Sequence, residues 1–269
     1  MGKVFCSSDW HGVGAVADKV LEFLKEDDTL YFLGDAIDRG SQGIEILTKL
    51  LADPRVKFIK GNHEMFMQEC LPATIKSLKE FGDIFSYEKI YDDWIHNGGA
   101  DTIYGLFKLT IEEIEGIAKK LTQMPYQLIY DSPNGHKIIM EHSGYTPFEL
   151  PRRSHDPLWD RNHFNDNWGG DWGRSIGDPD KTYVVHGHTP VQYLKFYYGY
   201  KDQPPLTKEE MLTKRTFLYS DDIYNLPKPK IIRYCGNHKI DLDMCTIVSN
   251  RIALLDLDTF EEIYFDKEG

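Results

Sequence analysis

Three short polar strings, each placed directly after an apolar and β-rich run, constrain this 269-residue chain more than any other feature. The runs are Lys3–Cys6, Thr29–Leu33 and Val56–Lys60, and the strings are Asp9-Trp10-His11, Gly34-Asp35-Ala36-Ile37-Asp38-Arg39-Gly40 and Gly61-Asn62-His63-Glu64. Asp9, Asp35 and Asn62 are 26 and 27 residues apart, which is the length of one β-α-β unit. Residues just past the ends of successive parallel strands meet at one rim of a sheet, where such folds bind ligands. The spacing therefore predicts that two carboxylates, an imidazole and an amide meet at one point.

The donor atoms gathered at this rim indicate a metal site. Oxygen and nitrogen donors in one cluster suit hard or borderline divalent cations. A second imidazole, a further acid and an arginine follow closely in the same strings. The formal net charge of −12 argues against a general nucleic-acid binder, because phosphate backbones are bound by Lys and Arg.

Helical periodicity fills the gaps between the three runs, with apolar positions repeating over residues 13–24 and 41–52. Residues 64–123 are also mostly helical in pattern, and the predicted helices are Met65–Cys70, Ala73–Phe81, Tyr87–His96 and Ile111–Leu121. A loop signal, Asn97-Gly98-Gly99, interrupts them. We expect residues 64–125 to form a helical cap inserted beside the site. The chain is then one domain, residues 1–269, with an irregular insertion at 195–230.

The second half of the chain returns to β structure. His136–Glu141 and Thr182–Val185 are predicted strands, and each is followed by a string that contains histidine: His142-Ser143-Gly144 and His186-Gly187-His188-Thr189-Pro190. The tail has β runs at Cys245–Val248, Ile252–Asp256 and Glu262–Phe265, which suggest a closing antiparallel meander. This order of elements predicts a layered α/β fold, a β-sandwich of mixed sheets flanked by helices.

Taken together, the strings resemble the calcineurin-like metallophosphoesterases. The resemblance is closer to their phosphoprotein phosphatase branch, and closest to bacterial and phage serine/threonine protein phosphatases. That branch has the pattern D-x-H, G-D-x-x-D-R-G, G-N-H-E, a later H-[AG]-G and a final G-H. Every element occurs here in that order, over residues 4–190. Ser143 stands where the family usually has Ala or Gly, a change too small to remove the ligand before it.

The resemblance implies a centre of two divalent metal ions. Asp9 and His11 would hold the first ion, Asp35 would bridge both ions, and Asn62, His142 and His188 would hold the second. Mn²⁺ is the ion we expect, and Fe or Zn²⁺ also suits these donors. Two dications acidify a bridging water, so that hydroxide is available near neutral pH for direct attack on phosphorus.

His63 and Asp38 form the acid pair that the resemblance implies. A carboxylate beside an imidazole favours the protonated imidazole and fixes its orientation. Protonated His63 would donate to the leaving alkoxide, a role typically worth about 10²–10⁴ in rate. Arg39 presents a planar fork suited to two phosphate oxygens. Arg161 resembles the second phosphate contact of the bacterial and phage members.

Two histidines compete for the last ligand position. Alternation along a strand places His186 and His188 on the same face, so geometry alone does not choose between them. The family pattern puts the ligand in the Gly-His pair, which favours His188 and leaves His186 as a neighbouring partner.

Three functions are compatible with this resemblance. The first is a phosphatase for phosphoserine or phosphothreonine in proteins, the second a symmetrical dinucleoside tetraphosphate hydrolase, and the third a non-catalytic phosphate-binding scaffold. The scaffold is disfavoured because no predicted ligand, acid or arginine is missing. Relatives that cleave dinucleoside polyphosphates tend to have Asn in the D-R-G string and G-N-H-D, whereas Asp38 and Glu64 follow the protein-phosphatase form. We therefore favour the first function, with a phosphorylated protein or a small phosphoester as substrate.

The remaining features indicate where such a protein resides. The four cysteines, Cys6, Cys70, Cys235 and Cys245, show no paired spacing, so we expect reduced thiols in the cytoplasm. The chain enters a strand directly after Met1-Gly2-Lys3, which leaves no room for a signal peptide. No apolar run approaches the roughly 20 residues that a bilayer crossing needs, so no membrane partner is expected. The oligomeric state does not follow from the sequence.

Overall fold

The computed structural model describes residues 2–84, 89–144, 156–161, 178–193 and 228–267. The strands are β1 (Val4–Ser7), β2 (Thr29–Phe32), β3 (Val56–Phe58), β4 (Gln127–Asp131), β5 (Lys137–Glu141), β6 (Thr182–His186), β7 (Ile232–Tyr234), β8 (Lys239–Asp241), β9 (Arg251–Asp256) and β10 (Glu262–Asp266). The helices are α1 (Gly14–Phe23), α2 (Gly43–Ala52), α3 (Asn62–Phe81), α4 (Lys89–His96), α5 (Ala100–Leu106) and α6 (Ile111–Gln123). A 3₁₀ turn spans Pro179–Lys181 and a single helical turn spans Thr246–Ser249. None of the described helices combines the length and the apolar character that a bilayer crossing requires.

The strands form two mixed five-stranded sheets, as the order of elements predicted. The first sheet has the order β10-β9-β1-β2-β3, and the second has the order β4-β5-β6-β8-β7. In the first sheet β1, β2 and β3 are parallel, and β9 runs antiparallel to β1. In the second sheet β5, β6 and β8 are parallel. Each sheet therefore contributes three parallel strands whose carboxyl ends lie on one edge.

The three central strands of the first sheet, β9, β1 and β2, are buried on both faces, and their side chains alternate between two cores. Phe5, Leu30 and Phe32 face a core shared with the helices. Cys6 and Tyr31 face the second core, where they pack with Ile138, Val185 and Ile240 of the other sheet. This inter-sheet core makes the fold a β-sandwich with helices on its outer side.

The helical block α3–α6 packs directly on the core beside the first sheet. Met67, Trp94 and Ile117 belong to the same buried cluster as the apolar faces of α1 and α2. The single-domain organisation and the cap at 64–125 stay predictions. Most of the predicted insertion at 195–230, namely residues 195–227, lies outside the described residues.

Helix α3 corrects one prediction, because it runs unbroken through Pro72 where two helices were expected. An interior proline costs a helix about 3 kcal/mol. Met67, Cys70 and Leu71 are fully buried on one face of α3, and burial of this size outweighs such a cost. The helix ends at Gly82, which adopts the left-handed conformation with φ +71°.

The tail contains the clearest error. Cys245–Val248 is not a strand: the chain forms the helical turn Thr246–Ser249, bounded by Cys245 and Asn250, both with φ +50°. The strands at the last two tail runs are confirmed as β9 and β10, which pair antiparallel. Strands β4, β7 and β8 and helix α5 were not predicted.

Candidate metal centre

The predicted ligands lie at the carboxyl ends of five strands, drawn from both sheets. Asp9 and His11 follow β1, Asp35 follows β2, Asn62 begins α3 after β3, His142 follows β5, and His188 follows β6. The backbone at these positions is unusual, because φ is positive at Asp9, His11, Asp35, Asp38, Arg39 and His188. Non-glycine residues adopt this region rarely, and such strain concentrates at functional sites.

Asp35 occupies the centre of the cluster. Its Oδ2 lies 3.4 Å from Nε2 of His142, 3.7 Å from Nε2 of His11 and 3.8 Å from Nε2 of His63. Two groups of potential donors share this carboxylate, one with His11 and His63 and the other with His142 and His188. Within each group the donor atoms lie within 4.8 Å of one another. A carboxylate common to two groups is the arrangement that a bridge between two ions requires.

The histidine rings are held with defined nitrogens toward the centre. Nδ1 of His11 donates to the carbonyl oxygen of Ile37 at 3.0 Å, and Nδ1 of His142 donates to that of Leu33 at 2.7 Å. A ring nitrogen beside a carbonyl carries the proton, so Nε2 is the ligand atom of each neutral ring. Both Nε2 atoms are the ones that face Asp35.

Among the described residues, two buried polar atoms of the site lack a hydrogen-bond partner, which fits metal ligation. Oδ1 of Asp9 and Nε2 of His188 are buried and have no hydrogen-bond partner among the described residues. Buried polar atoms are nearly always satisfied, so an orphan needs an explanation such as an ion. Asn62 lies between the second pair of histidines, with Oδ1 2.8 Å from His142 Nε2 and 3.0 Å from His188 Nδ1. The donors present therefore fit two divalent ions.

The electrostatics of the cluster also fit cations. Burial and the carboxylate of Asp243 raise the pKa of Asp9 well above its usual range. Burial opposes the charge of Asp35, but the rings of His142 and His63 outweigh it and lower the pKa of Asp35. Burial likewise disfavours the charged ring of His142. The attraction of the Asp35 carboxylate outweighs that effect of burial and raises the pKa of His142 to about 9. Packing several carboxylates this closely is costly unless positive charge is added, which two divalent ions would supply.

The loop that carries Asp35 is fixed by Glu64. The Glu64 carboxylate accepts hydrogen bonds from the backbone N–H of Asp35 (2.8 Å), Ala36 (2.9 Å) and Gly61 (3.0 Å). The bond to Gly61 satisfies the backbone N–H of the residue that caps α3, so one side chain joins the end of β2 to the start of α3. Glu64 thus acts on the backbone that presents the ligands.

His63 and Asp38 form a buried pair beside the centre. Nδ1 of His63 lies 2.6 Å from Oδ2 of Asp38, and both side chains are fully buried. Nε2 of His63 points to the centre, 3.0 Å from the guanidinium of Arg39. The same guanidinium lies 2.9 Å from Nε2 of His11. Arg161 lies at the exposed edge of the site, where its Nε donates to Oγ1 of Thr189 at 3.0 Å.

The structure separates the two competing histidines. His186 is turned away from the cluster: Nε2 lies 2.7 Å from the hydroxyl of Tyr234, and burial lowers the pKa of His186 to about 3. His188 lies in the cluster with Asp35 and His142. The ten residues predicted for the site are all described and lie together, while the roles assigned to them stay predictions.

Four buried residues near the site were missed. Asp241 ends β8 and Asp243 follows it, and Trp94 and Thr102 lie in the helical block. A signal for the acids was present, because Asp241-Leu242-Asp243 follows the apolar-ended run Lys239–Ile240 and repeats the rule of polar residues after strands. No comparable signal marked Trp94 and Thr102, because their contacts join residues 56 and 64 positions apart.

Comparisons with known proteins agree with this geometry. A family model described as calcineurin-like phosphoesterase matches residues 2–211. Among solved structures, a candidate diadenosine tetraphosphatase superposes with a TM-score of 0.55 at 16% identity, over 100% of this chain and 95% of that chain. A cold-active protein tyrosine phosphatase superposes with a TM-score of 0.52 at 16% identity, over 98% of this chain and 76% of that chain. A protein serine/threonine phosphatase from Saccharomyces cerevisiae reaches only 0.47 at 16% identity, over 98% and 80% of the two chains. No curated protein matches the chain. At these identities the first two superpositions show a shared fold.

Proposed function

Because the chain belongs to the calcineurin-like phosphoesterases, we propose that it is a metal-dependent phosphomonoesterase acting on phosphoserine and phosphothreonine in proteins. The observation that carries this proposal is the position of His63. Its Nδ1 is bonded to the buried Asp38 carboxylate while its Nε2 faces the centre between Arg39 and Asp35. In this arrangement Nε2 accepts a hydrogen bond from Arg39. Once Arg39 turns to the phosphate oxygens, Nε2 can carry the proton that a poor leaving group needs, and serine and threonine alkoxides are poor leaving groups.

We assign the metal-binding residues as the resemblance implied them. Asp9 and His11 would hold one ion, Asp35 would be shared, and Asn62, His142 and His188 would hold the other; Mn²⁺ is the ion we propose. Ions bound there supply Lewis acidity, which lowers the pKa of water and neutralises phosphate charge. The neutral Asn62 amide leaves the loaded centre with more positive charge than a third carboxylate would, which favours a phosphate dianion.

Three other side chains act on the substrate. Arg39 binds phosphate oxygens through its planar fork, and Arg161 binds from the exposed edge of the site. His63 donates the proton that the leaving oxygen takes up as the P–O bond breaks. Asp38 keeps the ring oriented.

A dinucleoside tetraphosphate hydrolase is the second candidate. The superposition of the candidate diadenosine tetraphosphatase over the full length of this chain favours it. Glu64 is one of the two residues on which the preference for a protein substrate rests. Its carboxylate accepts hydrogen bonds from backbone N–H groups and does not face the open side of the site, so it discriminates substrates weakly. The net charge of −12 supports the protein substrate, because a tetra-anionic nucleotide is repelled more strongly than a peptide.

The two candidates are separated by one parallel assay. Steady-state hydrolysis of a phosphothreonine peptide and of a dinucleoside tetraphosphate is measured with Mn²⁺ added, and His63→Gln protein controls for contaminating activity. A kcat/KM at least about a hundredfold higher for the peptide is expected, since specific contacts commonly discriminate by that factor. The reverse preference would make the protein a nucleotide hydrolase.

The cytoplasm is the compartment we propose. All four cysteines lie in the described part of the chain, where none of them forms a disulfide, and Cys6 and Cys70 are buried. Unpaired cysteines are typical of reducing compartments.

A further inference from the structure

The carboxylate of Asp38 is held by more than His63. Its Oδ2 accepts a hydrogen bond from Nε1 of Trp94 at 2.8 Å. The same oxygen lies 2.6 Å from Nδ1 of His63. Its Oδ1 accepts from the hydroxyl of Thr102 at 2.5 Å. Trp94 lies on α4 and Thr102 on α5, and both side chains are buried. Helices α4 and α5 therefore supply two of the three side-chain donors to this carboxylate.

Thr102 contacts Asp38 at two points. Its hydroxyl oxygen accepts from the backbone N–H of Asp38 at 3.0 Å, and its proton goes to the carboxylate of the same residue. These two bonds fix the backbone and the side chain of Asp38 relative to each other. They do so at a position where φ is +71°, a conformation that a non-glycine residue keeps only when its surroundings hold it.

Trp94 is placed with similar constraint. The indole N–H is a donor only, so in a buried site it needs an acceptor, and Asp38 provides it. A methyl group on Gly99 would come within 2.5 Å of the indole ring, so the loop between α4 and α5 leaves space for this ring alone. The same loop also holds Arg39, because the carbonyl oxygen of Gly98 accepts a hydrogen bond from the backbone N–H of Arg39 at 2.8 Å.

We propose that Trp94 and Thr102 are positioning residues for proton transfer to the leaving group. They hold Asp38, Asp38 holds Nδ1 of His63, and Nε2 of His63 is thereby aimed at the centre. This inference rests on the proposed function, in which His63 is the general acid. It assigns the helical block a part in catalysis, although no residue of α4 or α5 is proposed to touch the substrate.

The test exploits the leaving group. Thr102→Val removes one donor with little change of shape, and Trp94→Phe removes the other while keeping an aromatic ring, although a smaller one. A phosphothreonine peptide has a leaving group that needs a proton, and p-nitrophenyl phosphate has one that leaves unaided. We expect each variant to lower kcat for the peptide by roughly 10- to 100-fold, part of what a general acid supplies. We expect less than about a threefold change for p-nitrophenyl phosphate, with KM and metal content unchanged. Thr102→Ser, which retains the hydroxyl, should restore the peptide rate.

A matched control lies in the same block. Thr74 and Tyr91 form a buried hydroxyl pair at 2.6 Å, away from Asp38. Thr74→Val should therefore leave the ratio of the two rates unchanged. An equal loss on both substrates in the Thr102 and Trp94 variants, or no loss on either, would overturn the positioning role.

A readout without turnover separates this inference from the proposed function. In protein loaded with diamagnetic Zn²⁺, the Nδ1–H proton of His63 should give a protected, strongly downfield NMR signal because it is bonded to Asp38. The signal should exchange at least about tenfold faster in Thr102→Val and Trp94→Phe and stay unchanged in Thr74→Val. Unchanged exchange in all three variants would overturn the inference even if the enzyme is an active phosphatase. Faster exchange in an enzyme that hydrolyses neither substrate would leave the positioning intact and remove the proposed function.

Discussion

His63 presents its two ring nitrogens to different surroundings, one to a buried carboxylate and the other to an arginine at the centre. Changing His63 to Gln removes the proton donor and retains a polar side chain of similar reach. We expect kcat on a phosphoserine peptide to fall by about 10²–10⁴-fold, because a general acid supplies that much with an unactivated leaving group.

Metal content decides whether that loss is specific. His63 lies close to Asp35 and His11, and geometry alone permits it to be a ligand. In our assignment the variant keeps both ions, as measured by elemental analysis. Unchanged kcat would remove His63 from the mechanism, and loss of an ion would make it a ligand.

Gly187 lies against Asp9 at the end of β6. A Cβ placed on Gly187 would lie 2.0 Å from both Oδ2 of Asp9 and the hydroxyl oxygen of Ser8, so the carboxylate would have to move. Gly187→Ala is expected to weaken Mn²⁺ binding by roughly 10- to 100-fold, the range typical when the supports of a ligand are disturbed. Isothermal titration with Mn²⁺ measures this.

The control for this substitution is Gly116→Ala. Gly116 lies inside α6 with open space where a Cβ would go, so the same change should leave Mn²⁺ affinity unchanged and stabilise the helix by about 0.5–1 kcal/mol. Wild-type Mn²⁺ affinity in Gly187→Ala would show that Asp9 tolerates displacement and is not a ligand.

At the scale of elements, the edge strand β10 is joined to β9 by charge as well as by its ladder. The Asp266 carboxylate accepts from Nε and Nη2 of Arg251 at 2.8 and 3.1 Å, and from Lys228 at 3.0 Å. The hydrogen bonds from Arg251 lower the pKa of Asp266. The stabilisation is therefore present above the unfolded carboxyl pKa of about 3.9 and is lost as the pH falls through the lower folded value.

Asp266→Asn tests the predicted direction of this pH dependence of stability. Urea unfolding at pH 7 should show a loss of about 1 kcal/mol in the free energy of unfolding, and the loss should shrink toward zero near pH 3. Asp131→Asn is the control, because Asp131 is three-quarters exposed and contacts only Lys137, at 3.4 Å. A difference between wild type and Asp266→Asn that persists at low pH would contradict an ionic origin.

The elements show which features a sequence encodes locally. Polar residues directly after apolar runs predicted which side chains meet at one edge, because parallel strands bring such positions together whatever the details of the helices between them. The run Cys245–Val248 has β-branched residues and was predicted as a strand, yet positive φ at Cys245 turns the chain into a helical turn. The competing signal was local and was overlooked: the Asp243 carboxylate accepts from the Cys245 N–H two residues later, an Asx turn that opposes a strand here.

The acid-orienting contacts could not be predicted for a different reason. Trp94 and Thr102 reach Asp38 from helices that follow it by more than fifty residues, and nothing in their own surroundings in the sequence marks them. Sequence reasoning found the residues that carry donor atoms. It did not find the residues that hold them in place.

At the scale of the whole molecule, four buried carboxyl groups of the described residues gather where the two sheets meet. Asp9, Asp35, Asp241 and Asp243 are all buried near the carboxyl ends of the strands, in a protein of net charge −12. Burial and neighbouring carboxylates raise the pKa of Asp9 and Asp241, and the pKa of Asp243 to about 6. A fold that gathers this much buried acid is expected to gain stability from bound cations, by mass action on the native state.

The measurement that tests the central claim most directly is metal stoichiometry determined together with turnover, in wild type and in Asp35→Asn. Our account predicts two Mn²⁺ per wild-type chain, a higher melting temperature with Mn²⁺ than with chelator, and hydrolysis of a phosphomonoester. It predicts that Asp35→Asn, which removes the shared carboxylate charge, binds fewer than two ions and has no measurable turnover. An Asp35→Asn protein that retains two ions and full activity would contradict the account.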